Sequence, residues 1–321
     1  MAKKIGVMLC GHGSRDDQAI REFAHFVQEF AKIQPEYPIS SGFLEFAQPV
    51  IRQGLEALKE SGVNHIVALP IMLFAAGHVK NDIPSVLQEF AAQHPEIQLD
   101  FGRDLALDPQ LLQAASERII EAEEKATQHI DRHETLLLVI GRGTSDPDAN
   151  SNIAKIARML WEGMGFGWAE VGYSGVTYPL VDEALHHAVR LGYRRVIVFP
   201  YFLFTGILID RIYEATDRAI ADYPEIEFIK APYLNDHPLV LQSFKNRVQE
   251  TLHGQNAMNC LLCKYREAII GYEEDKGAPQ QGHHHHVEGI GTNSDHGHTH
   301  QQGKTGQLKQ PIIYNRLSAK N

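Results

Sequence analysis

Several residue types are scarce in this chain of 321 residues, and each shortage argues against a class of protein. Three cysteines are too few for a disulfide framework, so we expect a protein of the reducing cytoplasm. Lysine and arginine total 30 against 40 acidic residues, a formal net charge of −10 that argues against nucleic acid as the partner. No apolar run approaches the roughly 20 residues that cross a bilayer, so we expect no membrane contact.

The chain contains an internal repeat. Gly11–Asp16 aligns with Gly141–Asp146 at a shift of 130 residues, and a single-residue gap later changes the shift to 129. Further matched pairs at these shifts are Gly42 with Gly172, Pro49 with Pro179, Pro70 with Pro200, Phe74 with Phe204 and Pro109 with Pro238. One register maintained over so long a stretch indicates two copies of one fold.

Each copy alternates short apolar runs with stretches of helical periodicity. This alternation predicts the α/β class, with βαβ units that form a parallel sheet buried on both faces. For the order of the first three strands we take 2-1-3. The predicted strands of the first copy are Ile5–Cys10, Ser40–Phe46, His65–Leu73 and Ile97–Gly102. Those of the second copy are Thr135–Ile140, Ala169–Gly175, Arg195–Leu203 and Ile226–Ala231.

The repeat predicts three segments. Residues 1–130 and 131–252 form two tandem α/β sandwich domains, and residues 253–321 form a Cys- and His-rich tail. From residue 277 onward the tail has few apolar residues and is rich in glycine, glutamine and histidine. Such a segment cannot bury enough apolar surface to offset its chain entropy, so we expect the tail to be mostly disordered.

Three reactive residues follow strands in the first copy only: His12, Glu45 and His78. Their counterparts in the second copy are Arg142, Gly175 and Leu208. Loops beyond the carboxyl ends of parallel strands form the ligand crevice of open sheets, and the predicted strand order places His12 between the other two. Two imidazoles and a carboxylate suit Fe²⁺, Co²⁺, Ni²⁺ or Zn²⁺, so the first copy is predicted to hold a metal site.

Three motifs carry a resemblance to a known family. They are the Gly-His-Gly-Ser-Arg run at 11–15, Gly-Phe-Leu-Glu-Phe-Ala-Gln-Pro at 42–49, and Leu-Pro-Ile-Met-Leu-Phe-Ala-Ala-Gly-His at 69–78. Together they resemble the class II chelatases of the CbiX/SirB type, the sirohydrochlorin cobaltochelatases and ferrochelatases. The resemblance covers residues 1–252 and implies a two-domain enzyme that inserts a divalent metal into sirohydrochlorin in the cleft between its halves.

The resemblance also implies roles for individual residues. His12 and His78 match the catalytic histidines of the family, and Glu45 matches its acidic ligand. The second half departs from the motif at all three positions, so we expect it to close the cleft. The Gly-x-Gly loops lack the spacing of a dinucleotide site, and no nucleotide is expected.

Sirohydrochlorin carries many carboxylates, whereas this chain is itself acidic. Local donors must therefore attract the substrate. Ser14 and Arg15 beside the first loop, and Arg142 at the equivalent edge of the second, are the candidates, because guanidinium groups match carboxylates. An ordinary solvated helix start is the alternative interpretation of Arg15.

The tail carries two further metal-like patterns. Cys260 and Cys263 lie in a Met-x-Cys-x-x-Cys pattern that resembles the long form of these chelatases, where it is associated with a 4Fe–4S cluster. Two cysteines do not complete a cluster, so either the chain is a monomer or a cluster bridges a homodimer. The histidines His283, His284, His285, His286, His296, His298 and His300 favour metal storage or delivery, with a solvated linker as the alternative.

The resulting prediction is a lyase that inserts Co²⁺ into sirohydrochlorin for cobalamin biosynthesis. Insertion of Fe²⁺ for sirohaem is the alternative within the same class, since two histidines and a glutamate accommodate both ions. A metal-buffering or delivery protein, with the His-rich tail as its functional part, is the alternative of another class.

Overall fold

The computed structural model describes residues 3–255, 270–277, 289 and 292. The strands are β1 Ile5–Gly11, β2 Ile39–Phe43, β3 His65–Pro70, β4 Gln98–Phe101, β5 Thr135–Gly141, β6 Trp168–Tyr173, β7 Arg195–Pro200 and β8 Glu227–Lys230. The α-helices are α1 Asp17–Ile33, α2 Ile51–Glu60, α3 Ile83–Gln93, α4 Pro109–Glu123, α5 Pro147–Met164, α6 Val181–Arg190, α7 Ile207–Asp222 and α8 Pro238–Leu252.

The strands form two parallel sheets of four strands, in the orders β2-β1-β3-β4 and β6-β5-β7-β8. The α/β class and the 2-1-3 order are confirmed. The predicted ends of β2, β3, β6 and β7 extend two or three residues too far. For β3 and β7 the reason is that the apolar run continues past the strand. Ile71 and Leu73 leave the sheet after Pro70 and line a cleft, so their hydrophobicity does not mark strand structure.

Helices cover both faces of each sheet. The outer face of the first sheet packs on α2 and α3, and the outer face of the second packs on α6 and α7. The two inner faces share one core, to which α1, α4, α5 and α8 contribute side chains such as Phe26, Ile119, Ile156 and Phe244. The two halves are therefore held together by a continuous apolar layer.

The last helix of each copy packs against the other copy. Helix α4 contacts β7, β8 and α5, whereas α8 contacts β3 and α1. We call this arrangement the helix exchange. Two arginines at equivalent positions of the copies stabilise it: Arg247 of α8 donates to the Leu105 carbonyl at 2.9 Å, and Arg118 of α4 donates to the Leu234 carbonyl at 3.2 Å. The domain boundary between residues 1–130 and 131–252 remains a prediction from the repeat. In the structure, helices α4 and α8 each pack across this boundary.

Most of the predicted tail lies outside the described residues. Within it, Glu273–Asp275 forms one 3₁₀ turn, and the Gly289 N–H donates to the Leu44 carbonyl at 3.0 Å. No helix in the described part of the chain is both long enough and apolar enough to span a bilayer.

The arginines of the exchanged helices differ in burial, which gives a test of the packing. Arg247 is 2% exposed, and its guanidinium also binds the Asp108 carboxylate at 2.8 Å. We expect Arg247→Leu to lower the free energy of unfolding by about 3–5 kcal/mol, because Asp108 would stay buried without its cation.

The matched control is Arg118→Leu. The Arg118 side chain is 19% exposed and pairs with Glu121 at the surface, so the expected loss is about 1 kcal/mol or less. Urea denaturation monitored by circular dichroism measures both variants. Equal losses would contradict the view that Arg247 anchors the exchange.

Candidate metal and substrate site

A glycine turn brings His12 and Glu45 together. Gly13 follows His12 with a φ of +99°, and a Cβ on Gly13 would lie 1.7 Å from the Glu45 carbonyl oxygen, so only glycine fits. The Glu45 N–H donates to the His12 carbonyl at 3.0 Å, which extends the pairing of β1 and β2 beyond the sheet. The second copy keeps this turn, because a Cβ on Gly143 would lie 1.9 Å from the Gly175 carbonyl oxygen. Duplication preserved the backbone but not the reactive side chains.

His78 reaches the same point from β3. An apolar loop after Pro70 leads to a π-helical turn at His78–Asp82. The His78 Nδ1 lies 2.6 Å from Asp82 Oδ2, and the Asp82 side chain is 1% exposed. Because a carboxylate only accepts, this contact places the proton on Nδ1 of His78 and leaves Nε2 as the metal-binding atom.

The three predicted ligands converge. One potential ligand atom from each of His12, Glu45 and His78 lies within 4.8 Å of the others. His12 Nε2 is 3.5 Å from Glu45 Oε1, and the two imidazole rings meet edge to face with centroids 4.6 Å apart. His12 Nδ1 lies 2.9 Å from the Gly13 carbonyl oxygen, so Nδ1 carries the proton and Nε2 carries the lone pair. The arrangement offers two nitrogens and a carboxylate to one divalent ion.

Arg142 controls the electrostatics of this site. Its Nη2 lies 3.0 Å from His12 Nε2, and because a guanidinium only donates, the imidazole nitrogen accepts. Burial, followed by the positive charge of Arg142 and the neighbouring His78, lowers the pKa of His12 to about 3. His12 therefore stays neutral near pH 7, the form that ligates metals. Arg142 lies between the walls of the cleft, yet its side chain still reaches solvent.

The cleft has a volume of about 650 Å³ and walls from both copies. The three predicted substrate-binding residues line it. Arg15 is exposed and lies over the Phe46 ring at 4.8 Å, and the Ser14 hydroxyl oxygen accepts from the Asp16 N–H at 3.0 Å. The apolar part of the wall includes Phe23, Phe43, Phe74, Tyr173, Tyr201 and Phe204. The cleft therefore combines an apolar wall with the two cationic side chains of Arg15 and Arg142.

Sequence reasoning missed the residues behind His78. Lys80 Nζ is buried and binds Asp146 Oδ2 at 2.6 Å, and Asp82 holds His78. Their counterparts in the second copy, Asp210 and Ile212, are different residues. Comparison of the two copies, the criterion that found the ligands, would also have found these two residues. The predicted tail ligands lie outside the described residues: Cys260, Cys263, His283–His286, His296, His298 and His300.

Comparison with known proteins places these features in a family. The CbiX family model matches residues 6–122 and again 136–251. The sirohydrochlorin cobaltochelatase of Priestia megaterium is 36% identical over 82% of this chain and 85% of its own length. The sirohydrochlorin ferrochelatase of the same organism is 33% identical over 77% of this chain and 90% of its own.

A solved structure agrees. SirB from Bacillus subtilis with Fe³⁺ superposes with a TM-score of 0.69 at 28% identity, over 80% of this chain and 100% of that one. A second SirB structure, from B. subtilis subspecies spizizenii in complex with cobalt, gives 0.66 at 29% identity, over 79% and 98%. The duplicated sheets, the three convergent ligands and both family-model matches agree: this chain belongs to the CbiX family of class II chelatases.

Proposed function

We propose that this chain is a lyase that inserts a divalent metal, Co²⁺ in the first place, into sirohydrochlorin for cobalamin biosynthesis. The observation that carries the proposal is the convergence of His12, Glu45 and His78, of which both histidines line a largely apolar cleft. The cobaltochelatase of Priestia megaterium supports the choice of cobalt. Insertion of Fe²⁺ for sirohaem is the second candidate, favoured by the ferrochelatase relative and by a ligand set that accepts both ions.

The reaction exchanges two pyrrole protons for one metal ion. His12 and His78 ligate the ion through Nε2, and Glu45 adds a hard oxygen ligand and partly neutralises the charge. As the ion moves into the ring, the freed side chains accept the two protons, for which imidazole is suited. Burial is the main cause of the low pKa of His12 and Arg142 is the second, so displacement of Arg142 makes His12 more basic and favours this step.

Arg142 has two partners in this mechanism. Its guanidinium lies against His12 Nε2, the atom that must bind the metal, so an entering ion displaces it. A carboxylate of sirohydrochlorin is the natural acceptor for the displaced guanidinium. Arg15 and Ser14, at the same cleft, bind further acidic groups.

Loss of either histidine tests the site. We expect His12→Ala and His78→Ala to reduce insertion by about a hundredfold or more, and Glu45→Gln by about tenfold, because each removes a ligand. The assay mixes the protein anaerobically with sirohydrochlorin and Co²⁺, Fe²⁺ or Ni²⁺ separately and follows the absorbance change. His186→Ala, an exposed helix residue, is the control and should keep full activity. Full turnover by both cleft variants, with native circular dichroism, would refute the site.

Arg142→Ala separates metal binding from substrate binding. We expect Co²⁺ to bind about tenfold more tightly, because a cation that repels the ion and occupies His12 Nε2 is gone. The KM for sirohydrochlorin should rise, because a carboxylate partner is lost. Arg15→Ala is the matched control: it should raise the KM without changing Co²⁺ affinity. Weaker Co²⁺ binding by Arg142→Ala would contradict the competition.

We also propose that the tail supplies metal to the cleft and that the protein works in the cytoplasm. His283–His286 and His296–His300 flank Gly289, whose N–H binds the Leu44 carbonyl next to Glu45. Histidine tracts bind Co²⁺, Ni²⁺ and Zn²⁺, so this contact would bring a metal store close to the site. A 4Fe–4S cluster at Cys260 and Cys263 also remains a proposal, with a monomer and a homodimer bridged by the cluster as the two alternatives for the assembly.

Removal of residues 256–321 distinguishes a chelatase from a metal buffer. A chelatase should keep most of its kcat at saturating Co²⁺ and lose activity only when Co²⁺ is scarce, because the cleft residues all precede the cut. Replacing the histidines of 283–286 and 296–300 by serine, with the rest of the tail kept, isolates their contribution. If the shortened chain inserts no metal but the histidines alone account for Co²⁺ binding, the buffering function stands instead.

A further inference from the structure

The carboxylate of Asp82 contacts the Nδ1 atom of His78, one of the three candidate metal ligands. The Asp82 side chain is 1% exposed. One oxygen faces His78 Nδ1 at 2.6 Å, and the other accepts from Asn81 Nδ2 at 3.0 Å. A carboxylate buried to this degree is costly unless its hydrogen bonds are made, so its placement beside the imidazole is a specific feature of the fold.

The local backbone creates this pairing. The Ile83 N–H donates to the His78 carbonyl, five residues back, which closes the π-helical turn. Such turns are rare and occur frequently at functional sites. The counterpart of Asp82 in the second copy is Ile212, within the α-helix α7, and the counterpart of His78 is Leu208. The acid and the histidine are present or replaced together.

A buried ion pair also holds the π-helical turn at His78–Asp82 in place. Lys80 Nζ, 2% exposed, lies 2.6 Å from Asp146 Oδ2 and 3.3 Å from Asp148 Oδ2. Asp146 is the N-cap of α5, so this contact joins the turn to the second copy. The turn that carries His78 belongs to the first copy and is bound, through Lys80, to the second copy.

We propose that Asp82 is a positioning residue that holds His78 in the Nδ1–H tautomer, so that Nε2 presents its lone pair to the metal, and that Lys80 anchors the turn. A free histidine side chain in water favours the opposite tautomer, in which Nε2 carries the proton and cannot ligate. An acceptor behind a ligating histidine orients the ring and raises its basicity. The inference rests on the proposed function for the role of the metal, but the tautomer of His78 does not depend on it.

The tautomer is measured first. Long-range ¹H–¹⁵N NMR of the full chain, labelled at histidine and kept above pH 8, distinguishes the two neutral forms, and His78 is the signal that disappears in His78→Gln. We expect the Nδ1–H form in the wild type and in Asp82→Asn, whose side-chain oxygen still accepts. Asp82→Ala should shift His78 to the Nε2–H form. An Nε2–H tautomer in the wild type, or no change in Asp82→Ala, would overturn the proposal.

Metal use is measured next. We expect Asp82→Ala to weaken Co²⁺ binding and raise the KM for Co²⁺ by about 10–100-fold, and Asp82→Asn to recover most of that loss. Every variant keeps the whole chain, so Co²⁺ bound elsewhere is common to all. Asp100→Ala is the matched control, since it removes an equally short carboxylate–imidazole contact, 2.6 Å to His65, outside the cleft. It should change neither value.

The two measurements separate the possible failures. A changed tautomer with unchanged Co²⁺ binding would overturn the positioning role. Equal losses of Co²⁺ binding in Asp82→Asn and Asp82→Ala would do the same, because they would indicate a charge effect or damage to the fold rather than orientation. If the wild type binds Co²⁺ as expected but never inserts it into sirohydrochlorin, the proposed function fails while the assignment of Asp82 stands.

Discussion

The structure depends on burying the inner faces of two parallel sheets in one shared core. Each inner face is covered by the first helix of its own copy and the last helix of the other, α1 with α8 on one side and α5 with α4 on the other. The inner apolar layer therefore belongs to both copies, whereas each outer layer belongs to one copy. As a result, the carboxyl ends of both sheets open into the same cleft, and its walls are fixed relative to each other.

Within that frame, the site depends on hydrogen-bond direction more than on charge. The Gly13 carbonyl and the Asp82 carboxylate each face the Nδ1 of a histidine, so both Nε2 atoms keep the lone pair that can bind a metal. Glu45 is 4% exposed and reaches its place only because Gly13 lets two backbones approach closely. Small backbone constraints thus bring the two histidines and the glutamate together.

Much of this architecture could be predicted from the sequence. The repeat follows from the matched residues and the α/β class from the periodicity, and the difference between the two copies identified His12, Glu45 and His78. Strand ends were less certain, because the apolar residues that line the cleft continue the pattern of a buried strand, as Ile71 does. The helix exchange could not be predicted, since periodicity shows which face of α4 or α8 is apolar but not which sheet it covers.

The contact between Arg142 and His12 has a consequence for the origin of the fold. These two residues occupy the same position in the two copies, and they meet at 3.0 Å. In a symmetric pair of separate, identical half-chains, any change at this position would appear twice, so two imidazoles or two guanidiniums would face each other. Joining both halves in one polypeptide breaks that symmetry, and only then can a ligand and its cationic competitor evolve independently.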